Sequence, residues 1–167
     1  MIARTEVAPR PRLVVTIPGE PVAQGRGRAV RIGAGVRVID PAKSRSWKGV
    51  AAMFMQQARN AAGIFAPMDG PLDVTVVATW LTLKSASKRN PPVFKTTRPD
   101  GDNVLKAVLD AGNGILWADD AMCVRLSVEK RYGAVPSVRI EINRVGDHAE
   151  RGHDEPRQGR GEVGRGE

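Results

Sequence analysis

Residues 98 to 120 read RPDGDNVLKAVLDAGNGILWADD and place five carboxylates, Asp100, Asp102, Asp110, Asp119 and Asp120, within 21 residues of a chain whose formal net charge is +8. Crowded like charges oppose one another's ionisation unless a cation binds among them. Two unit charges about 4 Å apart repel by roughly 1 kcal/mol in water and by about 4 at an effective dielectric of 20, and a divalent ion reverses that sign. Hard oxygen donors without histidine or thiolate suit Mg²⁺ or Mn²⁺ rather than zinc. Such an ion polarises a phosphoryl oxygen, lowers the pKa of an attacking water and steadies a leaving oxygen, which is the chemistry of phosphodiester hydrolysis.

Each acid also has an ordinary reading. Asp102 suits a helix cap, Asp110 a surface partner for Lys106, and ADDAM an acidic turn. Asp100 with Asp102 is a D-x-D, which also serves haloacid-type phosphatases and glycosyltransferases; the phosphatase version follows an apolar strand, and KTTRP is not one.

The elements that must position these residues can be read around them. Asp102 as N-cap and Gly112 or Gly114 as terminator bracket a helix whose packing stripe is Val104, Leu105, Val108 and Leu109. Asp102, Lys106 and Asp110, each four apart, share another stripe, so Lys106 projects on the carboxylate side. Residues 103–111 rise roughly 14 Å as a helix, and ILWA retraces roughly 13 Å if extended. An antiparallel return after the GNG turn then carries Asp119 and Asp120 back towards Asp100 and Asp102.

Upstream, RLVVTIPG and VRVID read as strands, with GAG as a turn before the second. Asp40 followed by Pro41 signals a helix start, and the helix runs to Gly63 with Trp47, Val50, Ala51, Phe54 and Ala58 on one face. LDVTVVATWLTLK is a long β-branched strand. SASKRNPPVFKTTRP is a basic, proline-broken loop that delivers the chain to Asp100, and loops of this length in compact domains are functional or mobile. MCVRLSVEKRY alternates Met122, Val124, Leu126 and Val128 against polar residues, SVRIEIN alternates Val138, Ile140 and Ile142, and GAVP between them suggests an antiparallel hairpin with one buried face. The sum is an α+β domain with a small mixed or antiparallel sheet and two main helices.

The length suits one domain. We expect an N-terminal extension over residues 1–12, a domain over 13–144 and a disordered polar tail over 145–167. From Gly146 onward six acids stand against four arginines, a net −2 that leaves +10 on residues 1–145. A basic body of that kind suits a polyanion, since cations that neutralise phosphates gain affinity by counterion release. Arg26, Arg28, Lys43, Arg45, Lys48, Lys88, Arg89, Lys95 and Arg98 are the candidate phosphate contacts. His148 and His153 read as solvated tail residues. No apolar run approaches the roughly 20 residues of a membrane span, and the first residues hold no apolar core of signal-peptide length, so a cytoplasmic protein with no membrane partner and no organic cofactor is expected. Cys123, the single cysteine, has no disulfide partner within the chain and reads as a small buried hydrophobe in a strand.

Taken together, RPDGDNVLKAVLDAGNGILWADDAMCV, EKRYG and PSVRIEI resemble the RusA family of Holliday-junction resolvases of bacteria and their prophages. The combined spacing P-D-x-D-N-x-x-K, then D-A, then W-x-D-D carries the resemblance, and IPGEPVAQGRGR extends it, so that it covers roughly residues 13 to 143. The resemblance implies a homodimeric, Mg²⁺-dependent endonuclease that cuts four-way DNA junctions by paired nicks during recombination and repair. It makes Asp100, Asp102 and Asp120 the catalytic, metal-holding carboxylates and Lys106 the essential cation, and matches Asp119 and Asp110 to acidic positions of less defined role. The chain departs from the pattern at Gly112, where the family carries leucine and where glycine should loosen the helix end, at Gly27, where the family tends to proline, and after Asp120, where DDAM lacks a polar pair. The competing reading is a non-catalytic DNA-binding or structural phage protein that keeps the fold; a phosphatase of small substrates is a third.

Overall fold

A computed structural model describes residues 12–146 except Lys88. The expectations for most of the N-terminal extension, for Lys88 and for the tail from residue 147, including His148 and His153, lie outside the described residues.

The fold is built on β4 (Leu72–Leu81), the longest strongly alternating strand: Leu72, Val74, Val76, Ala78 and Trp80 are buried and the residues between them half-buried. The other main strands are β1 (Leu13–Pro18), β5 (Cys123–Gly133) and β6 (Ser137–Arg144), and the sheet runs β1-β6-β4-β5. β4 pairs antiparallel with β6 and parallel with β5, so the sheet is mixed. Helices α1 (Ala42–Ala61) and α2 (Gly101–Gly112) lie on one face, where Ala51, Met55, Ala107 and Val108 join Val15, Val74, Val76, Ile140 and Ile142 in one buried core. The α+β architecture with two main helices is as expected. Among the described residues no helix is long and apolar enough to cross a membrane.

Three local expectations are corrected. β5 and β6 do not form a hairpin, because β4 lies between them. Ala134, Val135 and Pro136 bridge two strand spacings of about 4.8 Å each, which three extended residues can span. Consequently β5 is an edge strand, and Val124 and Leu126, expected in its buried face, are 58% and 45% exposed. The face of α1 is rotated from the expected one: Ser44, Trp47, Ala51, Met55 and Arg59 are buried, while Val50 is 45% exposed. Pro41, not Asp40, is the residue at its N-terminus, and the Asp40 side chain makes other bonds.

A strand that the sequence did not suggest, β2 (Arg28–Ile32), pairs antiparallel with β3 (Gly35–Ile39) in a separate two-stranded ribbon. Gly33 closes the tip with φ of +61°, a conformation glycine adopts without penalty.

Candidate active site

α2 begins one residue after Asp100, which occupies the N-cap position with extended backbone (φ −71°, ψ 148°) and no side-chain cap bond. The expectation of Asp102 as the cap is therefore corrected: Asp102 lies in the first turn, where its negative charge faces the positive end of the helix dipole. Gly101, the middle of the D-x-D, stands against the sheet, where an added Cβ would lie 3.3 Å from Val128 Cγ1. A small residue here lets the helix start approach β5.

Two further contacts fix this backbone. Lys130 Nζ, on β5, donates to the carbonyls of Thr97 at 2.9 Å and Pro99 at 2.7 Å, holding the segment that enters α2. The N–H of Gln24 donates to the carbonyl of Asn103 at 2.8 Å. Both residues lie within the segments EKRYG and IPGEPVAQGRGR, but nothing in the sequence showed that they hold this backbone. The Asp100 and Asp102 side chains, by contrast, are exposed and make no ion pair or hydrogen bond to another described residue. Lys106, one turn on from Asp102, is exposed on the same side of α2.

The segment that leads to the other pair of acids does not take the expected path. ILWA is not an extended return: Gly112–Trp117 fold into tight turns, with Ile115 and Leu116 N–H donating to the Gly112 carbonyl and Gly114 N–H to that of Trp117. Leu116 and Ala118 then bracket Met68 through backbone bonds of 2.8 and 3.1 Å, and the buried Arg59 of α1 donates from Nη1 to the Ile115 carbonyl at 2.7 Å. Gly112 does not loosen the helix end. The fully buried Trp117 ring lies against its Cα, where a Cβ would come within 2.8 Å of Cη2 and 2.9 Å of Cε2.

Asp119 then caps a 3-10 turn, Asp120–Met122, by accepting from the Ala121 N–H at 2.8 Å. This turn packs against α2, so both acidic pairs border the same helix, and Asp120, like Asp100 and Asp102, is exposed with no ion pair to another described residue. Behind it, burial pushes the Cys123 thiol up to about 11, with the negative charges of Asp120 and Asp119 adding to the effect. Cys123 is buried at the start of β5, as the sequence suggested.

Among the described residues no three Asp, Glu, His or Cys side chains stand close enough to bracket one ion. The donors nonetheless fit Mg²⁺ chemically, because that ion is commonly held by one or two carboxylates together with water and substrate phosphate, and these carboxylates are exposed, oxygen-only and uncommitted.

The basic candidates divide. Arg26 and Arg28 sit at the root of the β2–β3 ribbon, and Lys43 and Arg45 are exposed on the first turn of α1. Arg89 and Arg98 are exposed in the loop before Asp100. Lys95 is stacked 5.5 Å from the Trp80 ring centre and 5.3 Å from that of Tyr132. Its neighbourhood is not the structureless loop expected: Tyr132 N–H donates to the Val93 carbonyl and Lys95 N–H to that of Lys130, adding this segment to the edge of β5. A hydrogen bond with Thr97, aided by Lys95 and opposed by burial, holds the Tyr132 phenol below its ordinary value.

Lys48 is not a free phosphate contact. Its Nζ donates to Asp40 Oδ2 at 2.6 Å and Asp110 Oδ2 at 3.2 Å, so Asp110 pairs with Lys48 of α1 and not with Lys106. Burial alone would lower the Lys48 pKa, but the bonds to Asp40 and Asp110 outweigh it and hold the ammonium above its usual range. The same hydrogen bond from Lys48 holds Asp40 below the usual carboxylate range against a smaller effect of burial.

The sequence profile described as "Endodeoxyribonuclease RusA" matches residues 18–143. This chain belongs to the RusA family. It is also similar to "Uncharacterized protein YqaN" of Bacillus subtilis (strain 168), with 37% identity over 136 residues that cover 78% of this chain and 94% of that protein. In RusA terms, the acidic segment and the hydrogen-bonded framework around it fall inside the matched region, as does the ribbon.

Proposed function

We propose that this RusA-family protein is a Mg²⁺-dependent endonuclease that hydrolyses DNA phosphodiesters at four-way junctions by paired nicks, acting as a homodimer in the cytoplasm. The observation that carries this reading is the set of exposed carboxylates, unpaired among the described residues, on a backbone held by hydrogen bonds. Asp100 and Asp102 stand at the start of α2, and Asp120 stands on the turn packed against it. Exposed carboxylates with no counter-ion among the described residues are suited to an external cation.

One or two of Asp100, Asp102 and Asp120, with Asp119 beside them, would hold the ion together with water and the substrate phosphate; Mg²⁺ bound there would polarise the phosphoryl oxygen and activate water. Lys106 places a positive charge on the carboxylate side of α2, where it opposes the charge that develops on phosphorus. Arg26, Arg28, Lys43, Arg45, Arg89 and Arg98 position the phosphate backbone without reading sequence. Two subunits meet the symmetry of a junction, since one set of carboxylates serves one nick.

The test is cleavage of a synthetic four-way junction with and without Mg²⁺, compared with linear duplex. Wild type should nick the junction in symmetric pairs only with metal. Asp120→Asn should abolish nicking and leave binding equal or tighter, since a negative charge facing DNA is removed. A folded wild type that binds junctions but never nicks them with Mg²⁺ or Mn²⁺ is instead a non-catalytic DNA-binding member of the family.

A further inference from the structure

The β2–β3 ribbon is a feature that neither the sheet nor the acidic site uses. Residues 26–39 contain four arginines, Arg26, Arg28, Arg31 and Arg37, and no acid. None of the four pairs with a carboxylate among the described residues. Every residue of β2 is exposed, and Val36 and Val38 of β3 are 69% and 74% exposed. Paired residues share a face, so Arg28, Val30, Arg37 and Ile39 lie on one side and Ala29, Arg31, Val36 and Val38 on the other. Cations therefore project from both faces of the ribbon. A buried packing strand would not be built this way, but an element standing between two rows of phosphates would.

The ribbon is firmly rooted although its blade is exposed. Buried Ser44 of α1 accepts from the Gly25 N–H at 3.1 Å and donates to the Ala23 carbonyl at 3.2 Å. Asp40, just after β3, accepts from Gln24 Nε2 at 2.7 Å and from Lys48. Through the Gln24 N–H the root is bonded to Asn103, the residue after Asp102. An arm clamped at its base and joined to the first turn of the carboxylate helix has a set origin relative to the scissile phosphate.

Its dimensions fit one occupant. Five residues per strand at about 3.3 Å extend roughly 17 Å, and a two-stranded ribbon is among the elements that the major groove, about 12 Å wide, admits. Building on the nuclease reading, we propose that the β2–β3 ribbon enters the major groove of a duplex arm beside the cleavage site. Arg28 and Arg37 on one face and Arg31 on the other neutralise phosphates on the two groove walls, and the tip at Gly33 and Ala34 meets the bases. The ribbon sets which phosphate reaches the carboxylates.

The triple variant Arg28→Ala, Arg31→Ala, Arg37→Ala tests the charge, and a single cysteine at the tip tests the insertion into the groove. Cys123 is buried, so Ala34→Cys labelled with a photo-crosslinker reports from the tip alone. The triple variant should keep the wild-type melting temperature and bind a four-way junction in metal-free buffer about 10-fold or more weakly. Its log–log salt dependence should be shallower by roughly 2 to 3, near one unit per lost phosphate contact. The labelled tip should cross-link to bases of one duplex arm at a constant distance from the nick. Unchanged affinity and slope in the triple variant, or a tip that never cross-links to bases while wild type still binds and nicks, overturns the ribbon's role and leaves the nuclease reading standing. A wild type that neither binds nor nicks junctions overturns both.

Discussion

Replacing Gly112 by alanine should destabilise the protein even though alanine is the better helix former. The added Cβ would lie 2.8 Å from Trp117 Cη2 and 2.9 Å from Cε2, whereas carbon atoms pack best at about 3.5 to 4.0 Å. The ring must therefore retreat by roughly 1 Å inside a core where Trp117 is fully buried. Overpacking of this kind costs about 1 to 3 kcal/mol. The opposing gain in helix propensity is at most about 1 kcal/mol, and smaller here because Gly112 is the last residue of α2. A net loss of about 1 to 2 kcal/mol follows, or roughly 3–7 °C in melting temperature. Gly49 is the internal control. It lies within α1, and a Cβ added there would meet nothing within 4 Å, so Gly49→Ala should gain up to about 1 kcal/mol. Urea unfolding followed by circular dichroism measures both. Since Trp117 is two residues from Asp119, Gly112→Ala should also lower junction cleavage at a temperature where the protein remains folded. If Gly112→Ala is as stable as Gly49→Ala, the close packing of Trp117 on the helix end is not what requires glycine at 112.

Two other groups give direct tests. Lys48→Met removes the tie from α1 to Asp110 and Asp40, whose side chains are 32% and 29% exposed, so solvent screening limits the loss to about 1 to 2 kcal/mol. With Asp40 held below 3.8, its share is present above that value and disappears as pH falls through the lower folded pKa. With Lys48 held above 10.5, its share is present below that value and disappears as pH rises through the higher folded pKa. The stability difference between wild type and Lys48→Met should thus be flat across neutral pH and shrink at both extremes; a difference as large in strong acid as at neutrality contradicts the ion-pair account. Tyr132 is the only tyrosine, so phenolate absorbance reports it alone: its midpoint should fall below 10 and move up in Lys95→Met, and a midpoint that the variant leaves in place removes Lys95 from the account.

The sequence made the inward residues of β4 and β6 legible because alternation states which side chains face a core. It did not state which strand lies beside which. Val124, Leu126 and Val128 alternate as well as Val138, Ile140 and Ile142, yet the first set lies on an edge and the second beside β4, and only the three-dimensional order decides that. The acidic spacing marked the whole segment from Asp100 to Asp120, and the family resemblance singled out Asp100, Asp102, Asp120 and Lys106 within it; these stand at the start of α2, on the turn against it and on the exposed side of the helix. The groups that hold the backbone beneath them were not legible, because Lys130 and Arg59 act on carbonyls 31 and 56 positions away. Gly112 read as a weak helix end because propensity sees only the helix; the reason for it is an indole five residues later in the chain.

Charge shows the same division between type and place. Lys48 reads in sequence like Lys43 and Arg45, but it faces Asp40 and Asp110 and is withdrawn from any ligand. Arg31 and Arg37 drew no notice in sequence, yet the ribbon exposes them without a described counter-ion. Free cations consequently stand on the ribbon and the first turn of α1, while the unpaired carboxylates stand at the start of α2 and on the turn beside it. The link between the two regions is made of uncharged hydrogen bonds: the Ser44 hydroxyl to the Ala23 carbonyl and the Gly25 N–H, and the Gln24 N–H to the Asn103 carbonyl. On the proposed nuclease reading, a phosphate chain gripped by the cations would be presented to the carboxylates through hydrogen bonds that do not depend on salt, so ionic strength should weaken binding far more than it alters which phosphate is cut.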